Sequence, residues 1–135
     1  MLVQLVVEDK ATRSAHGVVI AYDHMPEHGV CFLAFQRFGA SRDGGEMFLG
    51  MFHFVEYLFQ RWTLRKLYVD LPEYNADLIG DGLGVITEEG RLREFSYYDG
   101  RYWDRIFYAI DRDLWEHKAQ VWHLYLTDGL APDVR

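Results

Sequence analysis

The chain opens with short apolar runs separated by polar turns. Leu2 to Val7 (LVQLVV) is β-branched and apolar and predicts a strand, and the polar stretch Asp9 to Ala15 predicts a turn. Gly17 to Tyr22 predicts a second strand, Asp23 to Gly29, with Pro26 and Gly29, a second turn, and Val30 to Phe38 a third strand. The period then changes. From Gly45 to Trp62, Met47, Phe48, Met51, Phe52, Val55, Leu58, Phe59 and Trp62 recur at steps of three and four, with His53, Glu56 and Gln60 towards the other side. That spacing predicts one long amphipathic helix with a single face on a sheet. Leu64 to Leu71 reads as a strand stopped by Pro72, and Asn75 to Gly84 as a short helix with Asn75 as its N-cap and Gly84 at its end. Arg91 to Tyr98 and Tyr102 to Ile110 are aromatic-rich strands joined by Asp99-Gly100, a hairpin signal. Asp111 to Lys118 reads as a closing helical turn, and Val121 to Leu126 as a last strand or a packing tail. The order gives an α+β fold, a mostly antiparallel mixed sheet with one central helix.

Composition narrows the partners. The chain has 135 residues, half of them apolar, with no repeat or linker, so one domain over 1–135 is expected. The single Cys31 lies in the apolar run Val30 to Leu33 and reads as a buried, inert thiol. The net charge of −7 argues against a nucleic-acid partner, which a basic face usually serves. No run approaches the roughly 20 apolar residues that span a bilayer, and Met1 to Lys10 alternates too early for a secretory signal, so a cytoplasmic protein without a membrane partner is expected. The six histidines (16, 24, 28, 53, 117, 123) include no pair spaced to ligate a metal, because Pro26 and Gly29 place a turn around His24 and His28. Tyr97, Tyr98, Tyr102, Trp103, Phe107 and Tyr108 fill the hairpin, where sheet packing and a dimer seam are favoured over an acceptor cleft or a base-stacking surface. Glu88-Glu89 and Asp77/Asp81 read as solvated carboxylate pairs.

Several strings then carry a family resemblance. Glu89-Gly90-Arg91-Leu92-Arg93-Glu94, Asp99-Gly100-Arg101-Tyr102-Trp103-Asp104 and Tyr108-Ala109-Ile110-Asp111-Arg112-Asp113-Leu114-Trp115 resemble the penultimate hairpin of the GCN5-related N-acetyltransferases (GNAT), in their ribosomal-protein and polyamine-acetylating branch. The resemblance is close over 64–115 and looser over 17–62. It implies a GNAT-like bent sheet, acetyl-CoA or another acyl-CoA as cofactor, and acyl transfer to a small-molecule or protein amine. Arg42-Asp43-Gly44-Gly45-Glu46-Met47 matches the family's diphosphate loop, in which glycines and helix N–H groups face the anion. Met47 stands where a small residue is usual, and Glu46 adds a negative charge there. The resemblance also implies that the backbone of Gln36, Arg37 and Phe38 meets the pantetheine amides as an added strand would. It further sets Asn75 near the thiol end.

Two departures from the family pattern qualify the activity. The family's proton donor, a tyrosine or serine, falls near Gly80, yet no Ser or Tyr occurs between Ala76 and Val85, so the catalytic residues stay unassigned. The chain also starts at what matches the second strand, lacking the usual first strand and first two helices, so a partner chain, as in a homodimer, could complete that wall. The alternative to an N-acyltransferase is therefore a shortened, non-catalytic relative that serves as an acyl-CoA-binding or protein-interaction subunit.

Overall fold

A computed structural model of the chain describes residues 1–38, 45–78 and 84–128, with only the backbone described for 45–48, 78 and 122–128. The fold is α+β, with six strands and two long helices among the described residues. It divides into two compact units, Met1–Arg65 and Lys66–Arg135, and every strand pairing within either unit is antiparallel.

The first unit contains β1 (Val3–Glu8), β2 (Ala15–Met25), β3 (Val30–Arg37) and helix α1 (Gly45–Arg61). The strands form a meander in which β2 is central, pairing with β1 from Val3↔Ala21 to Val7↔Gly17 and with β3 from Gly17↔Arg37 to Tyr22↔Phe32. The Asp9 carboxylate accepts the Ala11 and Thr12 N–H groups at 2.8 and 2.9 Å, an Asx turn that ends β1. α1 keeps the bounds that its apolar period predicts, one residue shorter at its end. It buries Phe52, Phe54, Val55, Leu58 and Phe59 and leaves His53 and Gln60 exposed. Cys31 is fully buried, and that burial pushes its thiol up. The thiol donates to the Tyr22 carbonyl at 3.2 Å.

The second unit contains β4 (Lys66–Pro72), a 3-10 helix (Glu73–Leu78), β5 (Ile86–Tyr98), β6 (Arg101–Asp111) and helix α2 (Arg112–Asp128). β6 lies between β4 and β5. Asp99 and Gly100 have φ of 52° and 82°, the two left-handed residues of a type I′ turn, as the sequence predicts. Three expectations need correction. The helix placed at Asn75 starts two residues earlier, directly after Pro72, so Asn75 is inside it and is not its N-cap; of its predicted remainder, 79–83 lie outside the described residues. The hairpin's first strand begins at Ile86 rather than Arg91. Val121 to Leu126 is helix, not strand: α2 runs unbroken from Arg112. Asp111 caps it, its Oδ1 accepting the Asp113 N–H at 3.0 Å, and Trp115 and Ala119, one turn apart, bury its inner face.

Candidate functional site

The end of β3 is the first stretch the sequence singles out. Gln36, Arg37 and Phe38 are all exposed. The Phe38 N–H donates to the His16 carbonyl of β2 at 2.8 Å. Antiparallel ladders alternate between pairs that exchange hydrogen bonds and pairs that do not. In this unshifted register, Gln36 therefore also turns its N–H and C=O towards Val18 of β2. Arg37, opposite Gly17, turns its own to the far edge of β3. The three residues are thus not equivalent. Phe35 and Leu33 share the parity of Arg37, so the far edge presents backbone groups at every second residue.

The next described residue is Gly45, the first of α1. The first four N–H groups of a helix have no partner within it, and the helix dipole favours negative charge there. Gly45, Glu46 and Met47 form that first turn, while Arg42, Asp43 and Gly44 lie outside the described residues. Asn75 is exposed and belongs to the second unit.

The hairpin strings that carry the resemblance are knitted together by charge. Arg91 pairs with Asp104 at 2.9 Å and with Glu73 and Glu88 at 3.2 Å each. Asp104 also accepts the Glu94 N–H at 2.9 Å. That N–H, followed by the Arg91 guanidinium, holds the Asp104 carboxyl below its usual range. The Arg91 guanidinium is in turn raised by Glu88 and Asp104. Tyr108, opposite Glu88, is raised first by burial and then by the charge of Glu88. Glu89 turns elsewhere, to Lys66 Nζ at 2.6 Å and the Tyr68 hydroxyl at 3.2 Å. The Glu88-Glu89 pair is therefore split between two cations, because the register shifts between Glu88 and Gly90. Sequence reasoning missed this cluster. Its signal was the three-residue step from Glu88 to Arg91 together with the acidic end of the Asp99–Asp104 string.

At the hairpin tip the aromatic rings satisfy one another. Tyr74 stacks on Tyr98 at 4.4 Å and meets Trp103 edge-on at 5.4 Å, and Arg101 lies 3.6 Å over Trp103. Tyr97, Tyr98 and Tyr102 nonetheless stay more than half exposed, at 66%, 54% and 61%. A separate, mainly apolar groove of about 430 Å³ runs between β1 and α1, lined by Leu5, Val6, Val7, Val19, Gly50, Phe54 and Tyr57, with Glu8 and His53 also in its wall.

No protein-family model matches the chain, and no curated protein matches it in sequence. Solved structures do match. A spermidine N-acetyltransferase (SpeG) from Vibrio cholerae superposes with a TM-score of 0.75 at 21% identity, covering 86% of this chain and 69% of that one. The spermidine/spermine N-acetyltransferase of the same organism, solved with manganese ions, gives 0.75 and 21% over 86% and 68%. A probable acetyltransferase gives 0.64 and 16% over 76% and 58%. The fold is an acetyltransferase fold. At these identities the likeness concerns the backbone, and it agrees with the GNAT-like architecture that the hairpin strings imply.

Proposed function

We propose that the chain is an acyl-CoA-dependent N-acyltransferase that moves an acetyl or other acyl group to an amine. The observation that carries this reading is the parity at the end of β3. Arg37, at the very end of β3, turns its peptide groups away from β2, to the side that an extended pantetheine arm would line as a strand does. Seven residues after Phe38 the N-terminus of α1 opens at Gly45. Arg42, Asp43, Gly44, Gly45, Glu46 and Met47 would take the diphosphate and Asn75 the thiol end, with the two units acting as one domain. The GNAT-like fold supports the reading without assigning the substrate.

The chemistry is a direct transfer. The amine nitrogen attacks the thioester carbonyl, the C–N bond forms, and the C–S bond breaks. The ammonium gives up a proton and the departing sulfur takes one. A net charge of −7 and a hairpin where Arg91 faces Glu73, Glu88 and Asp104 favour a cationic acceptor. A soluble, cytoplasmic setting fits this reading, and among the described residues no helix is long and apolar enough to cross a membrane.

One observation favours a second reading. The stretch Ala76 to Val85 carries no Ser or Tyr to protonate the thiolate, which suits a non-catalytic acyl-CoA-binding subunit. Calorimetric titration with acetyl-CoA tests both: binding is expected, and no heat at millimolar ligand sinks both. Arg42→Ala should weaken that binding about tenfold or more, the worth of one charge-assisted hydrogen bond. Thiol release across a panel of primary amines, spermidine among them, then separates enzyme from binder.

A further inference from the structure

Among the described residues β1 pairs with β2 alone, and no strand lies along its other edge. The parity of that edge can be read. The even residues of β2 bond to β3, because His16 accepts from Phe38 in an unshifted register. The odd residues of β2 therefore bond to β1, and their partners there are Val3, Leu5 and Val7. Gln4 and Val6 are left with their N–H and C=O groups directed outwards.

Edge strands are usually guarded by a lysine, a proline or a bulge. Val3 to Val7 has none of these, and its first irregularity falls between Val7 and Glu8. Leu5 and Val6 are 40% and 56% exposed. Val7 sits against α1, where a Cβ on Gly50 would meet its Cγ2 at 2.6 Å. By alternation Leu5 points to the same side, into the groove between β1 and α1.

We propose that this edge is the seam of a homodimer, in which β1 pairs antiparallel with β1 of a second copy about a two-fold axis through Leu5. Three features select a second copy as the occupant. The regular stretch Val3 to Val7 is centred on Leu5, so the two-fold sets Gln4 opposite Val6 of the other copy and Val6 opposite its Gln4. These are the residues whose backbone groups face out, and they form two hydrogen-bonded pairs around an unbonded Leu5–Leu5 pair. Both copies then carry Val3, Leu5 and Val7 on one face, so the apolar side chains of each reach the groove of the other. Charge agrees as well. A net −7 repels a second copy over most of the surface, but the only ionisable side chain in β1 is Glu8. Glu8 pairs with Arg13 at 3.9 Å and falls outside the symmetric stretch.

The seam does not depend on acyl-CoA, so its test is separate from that of the catalytic reading. Sedimentation equilibrium of the full chain across the micromolar range should give about twice the 15.9 kDa of one chain. Val6→Pro removes only an outward N–H, which an edge strand tolerates, and should weaken the dimer at least tenfold while the far-ultraviolet circular dichroism stays unchanged. Should Val6→Pro fail to fold, Leu5→Cys keeps the test decisive. Unbonded antiparallel pairs have Cα atoms about 4.5 Å apart, within disulfide range. Oxidised glutathione should therefore link Leu5→Cys into a dimer on a non-reducing gel, with buried Cys31 silent. A wild-type chain that sediments as a monomer overturns the proposal. So does a dimer whose mass is unmoved by Val6→Pro in a folded variant, or a Leu5→Cys chain that gives no linked dimer.

Discussion

β1 in the first unit and β5 in the second both pair on one side only within their units, and they treat the open side in opposite ways. β1 is short, regular over Val3 to Val7, and free of ionisable groups there. β5 is thirteen residues long and breaks register twice, between Glu88 and Gly90 and between Leu92 and Ser96. At the second break Arg93, Glu94 and Phe95 stand against Asp104 alone, and Glu94 takes a φ of 51°. Charged residues at 88, 89, 91, 93 and 94 line the same strand. Bulges and charge are the devices by which edges resist a further strand. The aromatic hairpin, where composition suggests a seam, thus carries the guarded edge, and the plain aliphatic strand carries the unguarded one.

The unguarded edge owes its position to Gly50. Any side chain there would enter Val7, whose Cγ1 and Cγ2 would lie 2.8 and 2.6 Å from a new Cβ. Valine is stiff at χ1 and cannot swing aside. Gly50→Val is therefore the most damaging of the changes argued here, with a loss of about 1–3 kcal/mol in urea unfolding from overpacking. Val7→Ala in the same chain should recover most of that loss, because it empties the contested space. Full additivity of the two changes would show that α1 does not press on β1 at this point.

At the guarded edge the corresponding glycine is Gly100. Its φ of 82° leaves no steric argument against a side chain, since nothing lies within 4 Å of its Cβ direction. The strain is in the backbone alone. Gly100→Ala should cost about 1 kcal/mol by forcing an L side chain into the left-handed region. Asp99→Gly should be nearly neutral on the same unfolding curve, since that position already accepts a φ of 52°. Equal losses at both positions would argue against a type I′ turn.

What could be read from sequence follows the range of the interaction that fixes each element. α1 and the Asp99-Gly100 turn are set by local period and turn chemistry, and both stand where the residues put them. Val121 to Leu126 is a six-residue run interrupted only by His123, too short to separate strand from helix. The deciding signals, the Asp111 cap and the Trp115/Ala119 step, lie upstream of that run. Asn75 is not a cap because the 3-10 helix starts straight after Pro72, a start that the Asn75 side chain does not signal. In the candidate site, Gln36, Arg37 and Phe38 look alike until the partner of each on β2 is known, and that pairing is a long-range fact. The separation of Glu88 from Glu89 likewise depends on a register shift against β6, which neighbours in sequence do not reveal.

A pH-dependent effect best isolates the charge on the guarded edge. Asp104 has its carboxyl held below the ordinary 3.8 by the Glu94 N–H and then by Arg91. A carboxylate with a lowered folded pKa contributes stability that is complete above its unfolded value and is lost as pH falls through the folded one. Unfolding midpoints of the wild type should therefore fall as pH drops below about 4. Asp104→Asn should lower the midpoint at neutral pH and flatten that acid limb, so that the two curves converge where Asp104 is protonated. Asp9 provides the contrast. Its carboxyl is lowered chiefly by the Thr12 and Ala11 N–H groups, which an asparagine oxygen at the same place can still accept. Asp9→Asn should shift the midpoint less, because its partners are neutral amides, whereas Asp104 also answers the guanidinium of Arg91. Parallel curves for wild type and Asp104→Asn over the whole acid range would mean that the bulge is held by shape and not by charge.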